Sequence, residues 1–148
     1  MKFKPKYNYM KYWRLIRYYV KAKHGLGLAD LELLMFLHDE EYFTQDMFNK
    51  FNEVLSWDRL RFIRLKKDGW IQMYQNKIKN RKALYGISYK TETLMNYIYK
   101  ALAGNPLPED PDNNPLYKKN VSYTDKVYRN LISEMNETIK QSQRQTLE

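Results

Sequence analysis

The feature that most constrains the fold is a pair of short β-type runs in a chain whose other regular segments have helical spacing. Residues 70–76 and 83–89 are rich in aromatic and β-branched side chains, as strands are. Residues 77–82 lie between them and carry four Lys or Arg side chains. We therefore predict an antiparallel hairpin with a basic tip. A single hairpin is marginally stable alone, so it must pack against helices.

Helical segments are predicted on both sides of this hairpin. Apolar residues recur there at the three- and four-residue spacing of a helix, with Ser or Thr in position to cap the beginnings and Gly in position to end them. The predicted helices cover 7–24, 28–38, the residues after Thr44, 56–68, the residues between Thr91 and Gly104, and 123–140. The predicted fold class is mainly α with a small β-hairpin.

The C-terminal third of the chain differs in composition. Residues 105–120 contain four prolines, which predict an extended linker that cannot be helical. We expect three parts: a domain over 1–104, a proline-rich linker over 105–121, and an element over 122–148 that serves dimerisation or docking. The polar tail from Gln141 onward is expected to fray.

Charge is strongly segregated along the chain. The formal net charge is +9, and the blocks 1–24, 25–54, 55–90 and 91–148 carry +8, −6, +8 and −1. Two basic blocks that flank an acidic one are typical of a protein that binds a polyanion. The alternative is a solvated basic surface that only keeps the protein soluble.

The sequence gives no indication of an enzyme, a metal site or a cofactor. There is no cysteine, which excludes a disulfide framework and a thiolate zinc site, and His24 and His38 have no third ligand at metal spacing. Phosphate-binding, zinc-protease and serine-hydrolase motifs are absent. No apolar run approaches the roughly 20 residues that span a bilayer. We expect a cytoplasmic protein of a bacterium or, if viral, of the host cytoplasm or virion, with no membrane partner.

The order of the central elements predicts a winged helix-turn-helix. Two helices joined by a tight turn precede the basic hairpin, an arrangement that places one helix in the DNA major groove and the hairpin on the backbone. We expect residues 56–68 to be the recognition helix and 77–82 the basic wing. The candidate DNA contacts are Ser56, Trp57, Arg59, Arg61, Arg64, Lys67, Lys77, Lys79, Arg81 and Lys82. Lys66 belongs to the same basic run, and packing into the domain is the commoner fate of a Trp such as Trp57.

Four segments resemble the MarR-type winged-helix transcription regulators. They are residues 28–34, 43–48, the junction 64–71 and the wing 80–85, within a resemblance that covers roughly residues 10–103. The resemblance implies a transcription regulator that binds a pseudo-palindromic site on double-stranded DNA. It also implies a homodimer, here through helices 7–24 and 123–140.

Two apolar residues of the predicted recognition helix leave its function open. Leu60 and Ile63 fall on the side that should face DNA, so the helix is rotated, is offset in register or meets a protein. The alternative function is therefore a winged-helix protein-interaction or structural subunit, of a phage or a replication complex. Single-strand or RNA binding through the many tyrosines is a weaker alternative. We also expect Lys2, Lys4 and Lys6 to contact a nucleic-acid backbone.

Overall fold

The computed structural model describes residues 2–3 and 8–147, with side chains described through residue 145. The chain forms two compact units, which we call the terminal unit (Met1–Leu26 with Tyr97–Glu148) and the central unit (Gly27–Asn96). This division differs from the expected parts 1–104, 105–121 and 122–148, because residues on both sides of the proline-rich segment belong to the terminal unit. Lys4, Lys6 and the first predicted helical residue, Tyr7, lie outside the described residues.

Six α-helices, a 3-10 turn and one hairpin make up the described part of the chain, which confirms the mainly α fold class. The elements are α1 (Tyr9–His24), α2 (Leu28–His38), α3 (Gln45–Leu55), α4 (Arg61–Lys67), β1 (Ile71–Gln75), β2 (Leu84–Ile87), α5 (Tyr89–Leu102), the 3-10 turn (Pro115–Tyr117) and α6 (Tyr123–Leu147). Residues of α5 belong to both units.

The central unit has the winged-helix arrangement. Strands β1 and β2 pair antiparallel in a register that places Ile71 opposite Ile87, with an irregularity between Met73 and Gln75. Phe43 adds a one-residue third strand, because its N–H and C=O bond to the C=O and N–H of Tyr85 at 2.9 and 2.8 Å. Helices α2, α3 and α4 precede the hairpin, as predicted.

Aromatic rings connect α3, α4 and β2 in the core of this unit. Phe48 lies 5.0 Å from Phe62, and Phe62 lies 5.0 Å from Tyr85, both edge to face. Phe43 and Phe48 are fully buried. Edge-to-face pairs add roughly 0.5–1.5 kcal/mol each to the burial of their area. This packing fixes the position of α4 relative to the base of the hairpin.

The helix predicted over 56–68 is shorter than expected. It begins at Arg61 rather than Ser56, and residues 56–60 form a loop. Ser56 ends α3, since its N–H donates to the carbonyl of Asn52 at 3.0 Å. Asp58 then accepts the N–H of Leu60 at 2.9 Å, which turns the chain into α4.

Of the two other predicted N-caps, Thr44 is confirmed and Thr91 is wrong. The Thr44 hydroxyl accepts the N–H of Met47 at 3.3 Å and caps α3, as predicted. Thr91 is not the cap of α5, which begins at Tyr89; the Ser88 hydroxyl accepts the Thr91 N–H at 3.3 Å instead. The Thr91 hydroxyl donates to the carbonyl of Trp70 at 2.6 Å and is fully buried.

In the terminal unit, α1 packs against α6. The Tyr18 and Tyr128 rings stack with centroids 3.6 Å apart, and the Tyr18 hydroxyl donates to Asp125 at 2.6 Å. Arg14 donates to the Tyr128 hydroxyl at 3.1 Å. Burial in the unit and this bond to Asp125 raise the pKa of Tyr18 to about 12. The first and the last helix of the chain therefore pack on each other within one molecule.

The proline-rich segment is folded rather than an extended linker. Leu107 exchanges two hydrogen bonds with the side chain of buried Asn136 on α6, at 3.0 and 2.8 Å. Leu116 is buried within the 3-10 turn that Pro115 begins, because proline suits the first position of a helical turn. The expected fraying from Gln141 is also wrong, since α6 continues to Leu147.

Candidate nucleic-acid interface

Two of the predicted DNA contacts are bonded to acidic residues of the protein: Arg61 is buried, and Arg64 keeps 42% of its side chain exposed. Arg61 is 4% exposed, and its Nε donates to Asp30 on α2 at 2.6 Å. Its Nη1 donates to the Asn52 side chain and to the carbonyl of Ser56. Arg61 thus joins α2, α3 and the loop 56–60 to α4, and it is unavailable to DNA.

Arg64 belongs to the same network. Its Nη2 bonds both carboxylate oxygens of Asp30 at 2.9 and 3.0 Å, and its Nη1 bonds Asp58 at 3.0 Å. The bond to Asp30 raises the pKa of Arg64. The Leu60 N–H and then Arg64 lower the pKa of Asp58. We call Asp30, Asn52, Asp58, Arg61 and Arg64 the arginine network; its role is to hold the helix-turn-helix together.

A groove lies between α3, α4 and the base of the hairpin, and we call it the wing groove. It consists of two hollows of 530 and 570 Å³ that share Gln45, Lys66 and Tyr85. The remaining lining residues are Thr44, Asp46, Phe62, Ile63, Lys67, Met73, Asn76, Lys77, Lys82 and Ala83. Four of the side chains around the groove are lysines, so the groove is cationic.

Lys66 lies at the centre of the wing groove. Its ammonium lies over the Tyr85 ring, 5.4 Å from the ring centroid, which holds the lysine stem against the hairpin. Lys66 is not one of the DNA contacts predicted from the sequence, although it follows Ile63 by three residues and therefore lies on the same face of the helix. The three-residue spacing between Ile63 and Lys66 is the feature of the sequence that indicates the position of Lys66. Gln45 and Thr44, at the start of α3, were missed as well.

Lys82 also lines the groove but has a partner. Its ammonium bonds the carboxylate of Asp46 in the first turn of α3, and both side chains are largely exposed. This contact lowers the pKa of Asp46. Because the ion pair lies in solvent, it can open when a phosphate competes for Lys82.

The wing tip presents the remaining cations. Lys77, Lys79 and Arg81 are exposed and make no ion pair within the described part of the chain. A tight turn fixes the tip, because Ile78 and Arg81 exchange backbone hydrogen bonds of 3.2 and 2.7 Å. Lys79 has φ of 46°, in the left-handed region, at the corner of that turn.

Three predicted contacts lie on the loop 56–60 or at its start. Ser56, Trp57 and Arg59 are exposed, and none of them lines the wing groove. Trp57 is 55% exposed, so the expectation that it packs into the domain is wrong. Leu60 and Ile63 are 64% and 60% exposed, and both face solvent as the sequence indicated.

Residues 2–3 and 8–147 contain no group of three or more His, Cys, Asp or Glu side chains that could hold a metal ion. In the same residues, no helix combines the length and apolarity needed to cross a bilayer.

Comparison with known proteins gives one structural similarity. No protein-family model matches the chain, and no curated protein matches it significantly. Among solved structures, the chain is similar to reduced AbfR bound to DNA, with a TM-score of 0.46 and 16% sequence identity over 84% of this chain and 81% of that chain. The function must therefore be argued from the residues of this chain.

Proposed function

We propose that this chain is a non-enzymatic, winged-helix protein that binds double-stranded DNA and regulates transcription. In this proposal α4 enters the major groove and the wing, residues 77–82, contacts the phosphate backbone. The observation that carries it is the concentration of exposed lysines around the wing groove beside the basic tip of the hairpin. A helix and a hairpin joined in this way match the two surfaces that a duplex offers, its groove and its backbone.

The size of α4 suits this role. An α-helix is about 10–12 Å across with its side chains, which fits the major groove of about 12 Å, and the seven residues of α4 extend roughly 10 Å along its axis. A helix this short contacts few base pairs. Phosphate contacts must therefore supply most of the affinity, as they do for many DNA-binding proteins.

The proposed contacts differ from those expected from sequence. Arg61 and Arg64 are withdrawn because the arginine network holds them. Exposed side chains around the groove and wing replace them, with the loop 56–60 as a flanking contact to the backbone. The proposed set is Ser56, Trp57, Arg59, Lys66, Lys67, Lys77, Lys79, Arg81 and Lys82.

The test is a duplex-binding titration by fluorescence anisotropy at several salt concentrations. Each phosphate that the protein neutralises adds about 0.9 to the slope of log K against log salt. Arg81→Ala should lower that slope by about 0.9 for each chain bound, on every duplex sequence. Lys140→Ala removes the same charge from α6 and measures the effect of net charge alone. A flat salt response of the unmodified protein would contradict the proposal.

A homodimer through α1 and α6 remains part of the proposal. Within one chain these helices already pack on each other, which leaves side chains such as Met10 and Tyr123 exposed on them. A mass measurement in solution, with and without duplex, tests it. A monomer on DNA would remove the dimer from the proposal and leave the DNA contacts unchanged.

A second candidate function is protein binding, favoured by a different surface. Phe36 on α2 contacts Phe51 on α3 edge to face at 4.5 Å, and with Val54 and Leu55 they line an apolar groove of 140 Å³. Acidic Glu32 precedes Phe36 by four residues, on the same helix face. This surface fits an amphipathic helix of a partner with basic residues beside its apolar stripe. A salt-insensitive complex with such a protein, and no retention on DNA, would select this function.

A further inference from the structure

The outward face of α4 is apolar at its centre and cationic at its edges. Ile63 is the central outward residue, exposed Leu60 directly precedes the helix, and Lys66 and Lys67 follow Ile63 by three and four residues. Arg64 is held by Asp30 and Asp58. The side chain best placed to meet a base edge can therefore neither donate nor accept a hydrogen bond.

The apolar centre of this face can recognise only one group in the major groove. Donors and acceptors occupy the major-groove edges of all four base pairs, and the C5-methyl of thymine is the single apolar group there. A donor or acceptor placed against Ile63 would lose water without gaining a hydrogen bond, which costs free energy. A thymine methyl would instead bury apolar surface against the isoleucine.

We propose that Ile63, with Leu60 beside it, recognises thymine C5-methyl groups, so that the protein prefers A·T pairs opposite α4. This inference rests on the proposed DNA-binding function and adds its base preference. The lysines around Ile63 supply the charge complementarity that brings a duplex, rather than an apolar partner, to this face. They also hold the helix against the phosphates on each side of the contacted pair.

The experiment compares three duplex probes: two differ only in the thymine methyl, and the third has a different base pair. An alternating dA·dT duplex carries the methyl, an alternating dA·dU duplex has the same pairing and charge without it, and an alternating dG·dC duplex changes the pair. We expect the dA·dU duplex to bind about fourfold more weakly for each methyl in contact, which is the effect of burying one such group. The dG·dC duplex should bind more weakly still.

Two variants assign the effect to α4. Ile63→Ala should bind the dA·dT and dA·dU duplexes equally, and because Ile63 is exposed the variant should keep the stability of the unmodified protein. Val54→Ala truncates an exposed apolar side chain of α3 away from the wing groove, and it should keep the full difference between the two duplexes.

The outcomes separate this inference from the function beneath it. If none of the duplexes binds at low salt, the DNA-binding proposal itself fails. If all bind but the unmodified protein does not distinguish dA·dT from dA·dU, the function stands and methyl recognition is overturned. Methyl recognition is likewise overturned if Ile63→Ala retains the difference.

Discussion

The seven residues of α4 contain four cationic side chains, and two of them bond to acidic residues of the protein while the other two are exposed. Arg61 and Arg64 both bond to Asp30, although 42% of the Arg64 side chain stays exposed, whereas Lys66 and Lys67 lie on the exposed face of the helix. All four carry the same formal charge, and all belong to the block that carries +8. Net charge is therefore a poor guide to the size of a binding surface, since half of the cations on this helix neutralise the protein itself.

The difference follows from side-chain chemistry and from one acidic residue. Asp30 lies in the first turn of α2 and is only 14% exposed, so it needs partners with fixed, directed donors. A guanidinium offers five such donors in a plane, whereas an ammonium is a compact, strongly hydrated charge on a flexible stem. Arginine therefore suits the interior network, and lysine suits a surface that meets phosphates.

The largest expected effect comes from replacing Arg61, the buried one of the two arginines that bond to Asp30. Arg61→Met keeps an unbranched apolar stem but leaves Asp30 and Asn52 without a donor they use. Removing one partner of a buried ion pair costs about 3 kcal/mol. We expect that loss in the free energy of unfolding, measured by urea titration.

A double variant shows whether the loss comes from the charge of Asp30, which keeps only Arg64 as an ionic partner once Arg61 is removed. Arg61→Met combined with Asp30→Leu removes both charges and should recover much of the stability. Arg81→Met, at the exposed wing tip, should change stability by less than about 0.5 kcal/mol. Equal losses for Arg61→Met and Arg81→Met would show that the distinction between inward and outward cations is wrong.

The next effect in size comes from removing the two exposed lysines of α4. The double variant Lys66→Ala with Lys67→Ala removes two exposed cations without touching the arginine network. The salt slope of duplex binding should fall by about 1.8 for each chain bound, and binding at 0.1 M salt should weaken roughly sixtyfold. The urea midpoint should stay within error of the unmodified protein. A large loss of stability here would assign these lysines to the fold instead.

Local pattern was enough to predict much of the fold. The second helix was predicted over 28–38 and spans those residues, and Thr44 caps α3 as expected. The hairpin and its basic tip also lie where they were predicted. Apolar spacing, an N-cap and strand-type residues act over a few neighbours, so they can be recognised in one sequence.

The errors come from contacts between distant residues. Ser56 looks like an N-cap, but the loop that follows it is set by Arg61, whose main partner Asp30 lies 31 residues earlier. Prolines suggested an extended linker, but Asn136, 29 residues after Leu107, binds that segment to α6. The sequence did contain one sign of the arginine network: Arg61 falls beside Phe62 and Leu65 on the face that should be apolar.

A smaller effect on duplex binding is expected when the acidic residue of the wing groove, Asp46, loses its charge. Asp46 lies in the wing groove and pairs with Lys82, so it repels phosphate and occupies a cation that could bind it. Asp46→Asn should therefore tighten duplex binding, by up to about eightfold at 0.1 M salt, and steepen the salt slope by about 0.9. Anisotropy titrations at several salt concentrations measure both quantities. Unchanged binding would mean that DNA does not reach the base of the wing.

The smallest effect is a pH dependence of stability at the edge of the arginine network. The Leu60 N–H and Arg64 lower the pKa of Asp58 below its ordinary value of 3.8 in the folded protein. A carboxyl whose pKa is lower in the folded state stabilises the fold above its unfolded pKa, and that contribution disappears as the pH falls through the folded pKa. Asp58→Asn should therefore reduce the urea midpoint at pH 6, and the difference from the unmodified protein should shrink toward pH 2. A difference that stays constant over this range would show that Asp58 acts through its shape and hydrogen bonds, and that its charge contributes nothing to holding Arg64 inward.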